Sequence, residues 1–144
     1  MSKLSKTFLL IGAILSLIVA VTMVICGIVF LAFSAPAVKE YIIELLEQAE
    51  IHTDIPGTPA EQAASIQTIF MSIGIVFMIW AVVCVISAVV AFVGRNKQTN
   101  GLLVANIVLG LFSGEFNTAG GILGLIANAR IERNNRRNNV VDNQ

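Results

Sequence analysis

The sequence predicts an all-α fold: an integral membrane four-helix bundle with an extracytoplasmic amphipathic helix between its first two spans. Three observations carry this expectation. The 144 residues are 56% hydrophobic and 12% charged, whereas a soluble domain is about 45–50% apolar and about 25% charged. Two charge-free stretches, residues 8–33 and 66–94, are each long enough to cross a bilayer. Charge is also segregated: six of the nine acidic residues fall at positions 40–61, and eight of the nine basic residues lie before residue 7 or after residue 94. So little charge cannot cover a globule with solvated surface, and a bilayer accepts the surplus apolar area instead. The length suits one domain, residues 1–144.

The first span, residues 8–33, is 26 residues without a charge. At the helical rise it would be ~39 Å long, more than a ~30 Å hydrocarbon core. Lys3 and Lys6 precede it, as in a secretory signal, but a signal core is about 7–15 residues. The run is therefore read as a retained span, although Ala35-Pro36-Ala37 after it resembles a cleavage site.

Residues 34–65 form the outer loop. Pro36 suits the first position of a helix, where its missing N–H is not needed. Val38, Tyr41, Ile42, Leu45 and Ala49 then recur at helical spacing, with Glu40, Glu44 and Glu47 on the other side. The expected result is an amphipathic helix folded onto the bundle or the lipid interface. Its alternative use is a docking surface centred on Tyr41, Ile42 and Leu45. The three glutamates form a solvated face, since calcium asks for six or more oxygens in a cage. Pro56, Gly57 and Pro59 end the segment. Thr58, Pro59 and Glu61 stand as N-cap, first residue and capping-box acid of the next helix.

The second span, residues 66–94, ends at Arg95-Asn96-Lys97. Beyond it, Ser113-Gly114-Glu115-Phe116-Asn117-Thr118 interrupts an apolar region. One helix through this region would bury Glu115, at roughly 2.5–3.5 kcal/mol. Two short spans, residues 98–113 and 117–130, place Glu115 in an outer turn instead. They also put Lys3, Lys6, Arg95, Lys97 and the four C-terminal arginines on one side, as cytoplasmic loops require. The four-span arrangement is preferred, with both termini and the tail 131–144 cytoplasmic. Gly120 and Gly124 make a small-xxx-small surface, with Asn128 one step on, suited to close helix packing inside the monomer or, less favoured, to a dimer seam. Asn106 can hydrogen-bond across helices, or line a pore.

Chemistry is sparse. His52, the single histidine, stands near Glu50 and Asp54, too few groups for a metal or acid–base site. Cys26 and Cys84 would differ in depth by ~16 Å, beyond the ~7 Å of a disulfide, so two free thiols are expected. No phosphate loop, triad or zinc motif appears. The basic tail lacks the interleaved aromatics of a nucleic-acid binder. No cofactor is expected, and the partners are the lipid bilayer with a membrane or envelope protein or a second copy.

The layout resembles a known family. It combines a basic N-terminus, a long span, an acidic outer loop, a second span and a hairpin closing in Asn117-Thr118-Ala119-Gly120-Gly121-Ile122-Leu123-Gly124-Leu125-Ile126-Ala127. This is similar to a domain-of-unknown-function family of small four-helix membrane proteins from Gram-positive bacteria. The resemblance spans nearly the whole chain, implies a bacterial plasma-membrane location, and brings no activity or functional residue with it. A non-enzymatic contact protein of accessory, stress or immunity type is the expected function. A small transporter or channel component is the alternative, and an intramembrane enzyme ranks last.

Overall fold

A computed structural model describes residues 3–48 and 55–141. It is all-α, with helices α1 (Lys3–Phe33), α2 (Pro36–Gln48), α3 (Pro59–Lys97), α4 (Asn100–Ser113) and α5 (Glu115–Val141). By length and composition α1 and α3 are each able to cross a membrane, and α4 is a shorter apolar helix. His52, Glu50 and Asp54 lie outside the described residues, as does Ala49.

Local chemistry sets the boundaries. At the end of α1 the Ser34 hydroxyl donates to the Leu31 carbonyl at 2.7 Å, and Pro36 opens α2 two residues later. α3 starts with a reciprocal capping box. The Thr58 N–H donates to Glu61 Oε2 at 2.9 Å, and the Glu61 N–H donates to Thr58 Oγ1 at 3.4 Å. These bonds favour the charged form and hold the Glu61 carboxyl below its ordinary pKa. Between α3 and α4 only Gln98 and Thr99 are non-helical, Gln98 with φ 43°. Gly114 alone separates α4 from α5, at φ 149°, a conformation that suits glycine.

Two bounds differ from the sequence expectation. α5 starts at Glu115, so this residue opens a helix instead of sitting in a loop. α5 also continues through Arg130 to Val141, well into the expected tail. Residues 131–138 there are exposed, and Arg136 pairs with Glu132 one turn back.

The chain divides into two compact units, Met1–Ala20 with Val82–Gln144, and Val21–Ala81. In the first, Leu9, Ala13, Ala91 and Leu103 form a buried cluster with Leu125 against it. Small residues are buried beside it, among them Gly12, Ala88, Gly120 and Gly124, which lets helix backbones come close. In the second, Phe30 meets Phe70 and Phe77 at ring-centroid distances of 5.7 and 5.5 Å, and Phe33 meets Phe70 at 5.8 Å. Gln67 Nε2 donates to the Ala35 carbonyl at 2.9 Å. No residue of α2 is fully buried. Val38, Ile42, Ile43 and Leu46 are half-buried, while Tyr41 and Leu45 face outward at 61% and 43% exposure. The packed face of α2 is thus rotated from the expected one, because Ile43 and Leu46 compete with Tyr41 and Leu45 for burial.

Candidate functional site

The polar residues of the first unit converge on Asn117, in the first turn of α5 and fully buried. Its Nδ2 donates to Ser16 Oγ of α1 and to Ser87 Oγ of α3, both at 3.0 Å. Ser87 and Ser113 share a short hydroxyl–hydroxyl bond. The Ser113 hydroxyl donates to the Leu109 carbonyl at 3.0 Å. With that proton committed, the Ser87 hydroxyl is the donor to Ser113, and the chain of bonds runs one way from Asn117 to α4. Asn117 Oδ1 has no hydrogen-bond partner among the described residues. It faces the Cα of Gly12, where any Cβ would overlap it.

Sequence reasoning placed Asn117 beside a water-exposed turn, and the structure buries it. The signal was present in two serines. Ser16 and Ser87 each interrupt an apolar run, ten residues from Lys6 and eight from Arg95. Small hydroxyls at similar distances, ~15 and ~12 Å at the helical rise, from the charged ends of two antiparallel helices can share one amide.

The residues singled out from sequence fall at other places. Gly120 and Gly124 are buried on the face of α5 that meets α1 and α4. A Cβ on Gly120 would stand 2.9 Å from the Leu9 side chain, and one on Gly124 2.6 Å from Leu103 Cδ2. These glycines are consumed inside the monomer. Ser5 Oγ donates to the Gly120 carbonyl at 2.9 Å, in the same contact. Asn106 is buried, and its Nδ2 donates to the Leu102 carbonyl at 2.9 Å and across to the Val90 carbonyl of α3 at 3.3 Å. Asn128 Nδ2 donates to the Gln98 carbonyl at 2.8 Å and to Asn100 Oδ1 at 2.9 Å, closing the base of the hairpin. Tyr41, Ile42 and Leu45 are on α2, in the second unit.

The cluster holds amides and hydroxyls but no group that titrates near neutral pH. Its hydrogen bonds fasten α1, α3, α4 and α5 to one another. Among the described residues no group of three or more His, Cys, Asp and Glu side chains is placed to hold a metal. Both cysteines are free, Cys26 half-buried and Cys84 buried.

A cavity of about 420 Å³ opens beside Glu115 at the α4–α5 tip, walled by Leu111, Phe112, Thr118 and Ile122. A smaller one, about 150 Å³, lies between Glu115, Phe8 and Phe116. No protein-family model, no curated protein and no solved structure matches the chain.

Proposed function

We propose that the chain is a non-enzymatic multi-pass plasma-membrane protein, with α1, α3, α4 and α5 as its four membrane-embedded helices. Both termini are cytoplasmic, and α2 lies on the outer side. It acts through protein or lipid contacts, as an accessory, stress or immunity-type envelope protein. The resemblance to small Gram-positive membrane proteins is the ground for a bacterial plasma membrane.

The observation that carries this reading is the apolar outer surface of the two long helices. Only 17% of the most apolar stretch of α1 and 28% of that of α3 is buried. The core helix of a soluble protein is mostly buried. Here Ile14, Ile18, Val21, Ile25 and Ile28 of α1, and Ile75, Ile79, Val82, Ile86 and Val89 of α3, are exposed. Water does not tolerate contiguous apolar patches of this extent, and lipid does. A cleaved signal fits poorly, because α1 supplies Leu9 and Ala13 to the core and Ser5 and Ser16 to interhelical hydrogen bonds. The orientation follows from Lys3, Lys6, Arg95, Lys97 and the C-terminal arginines, retained on one side.

The contact surface is the outward stripe of α2, where Tyr41 and Leu45 stand one turn apart, each directly after a glutamate, Glu40 and Glu44. An apolar pair with carboxylates along one edge suits a membrane or envelope protein partner, or a second copy of this chain. Washing with alkaline carbonate leaves the full chain in the membrane pellet, and a C-terminal tag is reached only after permeabilisation. A tag reached from outside intact cells overturns the orientation. Recovery as a monodisperse species in plain buffer overturns the membrane reading.

A small transporter or channel component is the second reading. The cavity beside Glu115 favours it, because ionisable groups at membrane depth mark ion and substrate pathways. Reconstituted liposomes without cation or proton flux exclude it.

A further inference from the structure

We infer that the α4–α5 hairpin enters the bilayer only part-way, and that the cavity at its tip binds a hydrophobic organic monocation with Glu115 as counter-charge. The inference rests on the membrane reading above.

Three rulers within the first unit give the depth of the tip. Asn117, two residues past Glu115, bonds Ser87, and Ser87 is eight residues from Arg95 along α3, ~12 Å at the helical rise. Asn117 also lies against Gly12, six residues past Lys6 on α1, or ~9 Å. Along α5, Glu115 is thirteen residues from Asn128, ~20 Å, and Asn128 is tied to Gln98 beside Lys97. A hydrocarbon core is ~30 Å thick. With the basic residues at one interface, the tip therefore ends about 10 Å or more short of the other.

The tip is built for such a place. Its single non-helical residue is internally satisfied: the Gly114 N–H donates to the Gly110 carbonyl at 2.8 Å, and its own carbonyl accepts from the Asn117 N–H at 3.3 Å. Pairing of this kind lowers the cost of holding Gly114 at membrane depth. The surrounding side chains are Leu111, Phe112 and Phe116, exposed and apolar, with Leu111 at 73%. A turn reaching water would not present them.

Glu115 is the one charge in this setting, and no cationic side chain among the described residues pairs with it. The adjoining volume of about 420 Å³ falls in the range of small-molecule sites, ~300–1,000 Å³. Its aromatic and aliphatic walls attract a hydrophobic cation through both desolvation and ring faces. One carboxylate cannot supply the six or more oxygens that calcium requires.

Tetraphenylphosphonium is the probe, and the full chain in lipid nanodiscs is the target, with empty discs as baseline. Saturable binding near one probe per chain is expected. Glu115→Gln weakens it at least tenfold. Leu111→Trp, at an exposed site, blocks the cavity while keeping the carboxylate, and weakens it similarly. In a chain with Cys26 and Cys84 replaced by alanine, Glu115→Cys resists an impermeant maleimide added outside cells, whereas Lys39→Cys on α2 reacts. Absence of saturable binding, unchanged binding in both variants, or labelling of Glu115→Cys from outside overturns the inference while the membrane reading stands. Extraction of the chain by alkaline carbonate overturns both.

Discussion

Asn117 and Ser16, 101 positions apart, meet through a 3.0 Å hydrogen bond between the first turn of α5 and the middle of α1. The same amide nitrogen reaches Ser87 of α3 at 3.0 Å. One side chain thus joins three helices in the first unit, and its removal leaves two buried hydroxyls without a donor.

Asn117→Ala is therefore expected to destabilise the chain by about 1–3 kcal/mol, since interhelical hydrogen bonds in bundles contribute roughly 0.6–2 kcal/mol each. Denaturant titration in detergent micelles reads it. A double-mutant cycle with Ser16→Ala should give a coupling of at least about 0.5 kcal/mol, as residues in one network do not add. Independent effects would show that the amide packs without fastening.

Helix packing gives a contrast among three glycines. Gly120→Val forces a branched side chain into Leu9 and is expected to cost about 1–3 kcal/mol or more. Gly101, in the first turn of α4, has nothing within 4 Å of an added Cβ, so Gly101→Ala is neutral or stabilising by up to about 1 kcal/mol. Gly114→Ala meets no atom either, yet its φ of 149° makes a cost of about 1–3 kcal/mol expected from the backbone alone. Melting temperatures of the three variants order the causes.

The capping box at the start of α3 predicts a pH dependence. The folded Glu61 carboxyl titrates below its ordinary value because Thr58 bonds its charged form. Its contribution to the first turn is thus full above the unfolded pKa and is lost as pH falls through the folded one. A carbon-detected NMR titration should place the Glu61 midpoint below the ordinary glutamate value. Thr58→Ala removes the hydroxyl donor but keeps the backbone N–H, the larger cause, so it raises the midpoint only part of the way, and a midpoint unmoved by that change would refute the hydroxyl's share.

The α2 surface separates folding from contact. Tyr41→Ala with Leu45→Ala removes outward side chains, so the melting temperature should hold within about 2 °C while co-purification from mild detergent falls. Ile42→Ala cuts into the half-buried side and should lower stability by about 1 kcal/mol with less effect on capture. Equal capture by the double variant would remove this stripe as the contact surface.

Much of the helical layout was legible in the sequence, for identifiable reasons. The charge-free runs at 8–33 and 66–94, Pro36, and the Thr58-Pro59-Glu61 signature are local signals, and α1, α2 and α3 follow them. The break near Gly114 was legible from its composition. The clustering around Asn117 was not, because helices apolar on every side do not announce which face meets a neighbour. The face of α2 was misread for a related reason: Val38, Tyr41, Ile42, Ile43, Leu45 and Leu46 make too broad an apolar arc to fix one direction. The helical extension beyond Arg130 carries no apolar stripe, and i,i+4 pairs such as Glu132–Arg136 were its only trace.

A single residue joins α4 to α5, and Gln98 with Thr99 is the covalent link from α3 to this hairpin. The hairpin is also clasped to α3 near its tip, where Asn117 bonds Ser87, and along its length, where Asn106 bonds the Val90 carbonyl. Such a pair has no slack to bend at its tip and no freedom to swing about its base. Force applied near Gly114 therefore divides between the Asn117 clasp and the joint at Gln98, where Asn128 latches the base. Cutting that latch with Asn128→Ala would loosen the base and leave the clasp at the tip intact.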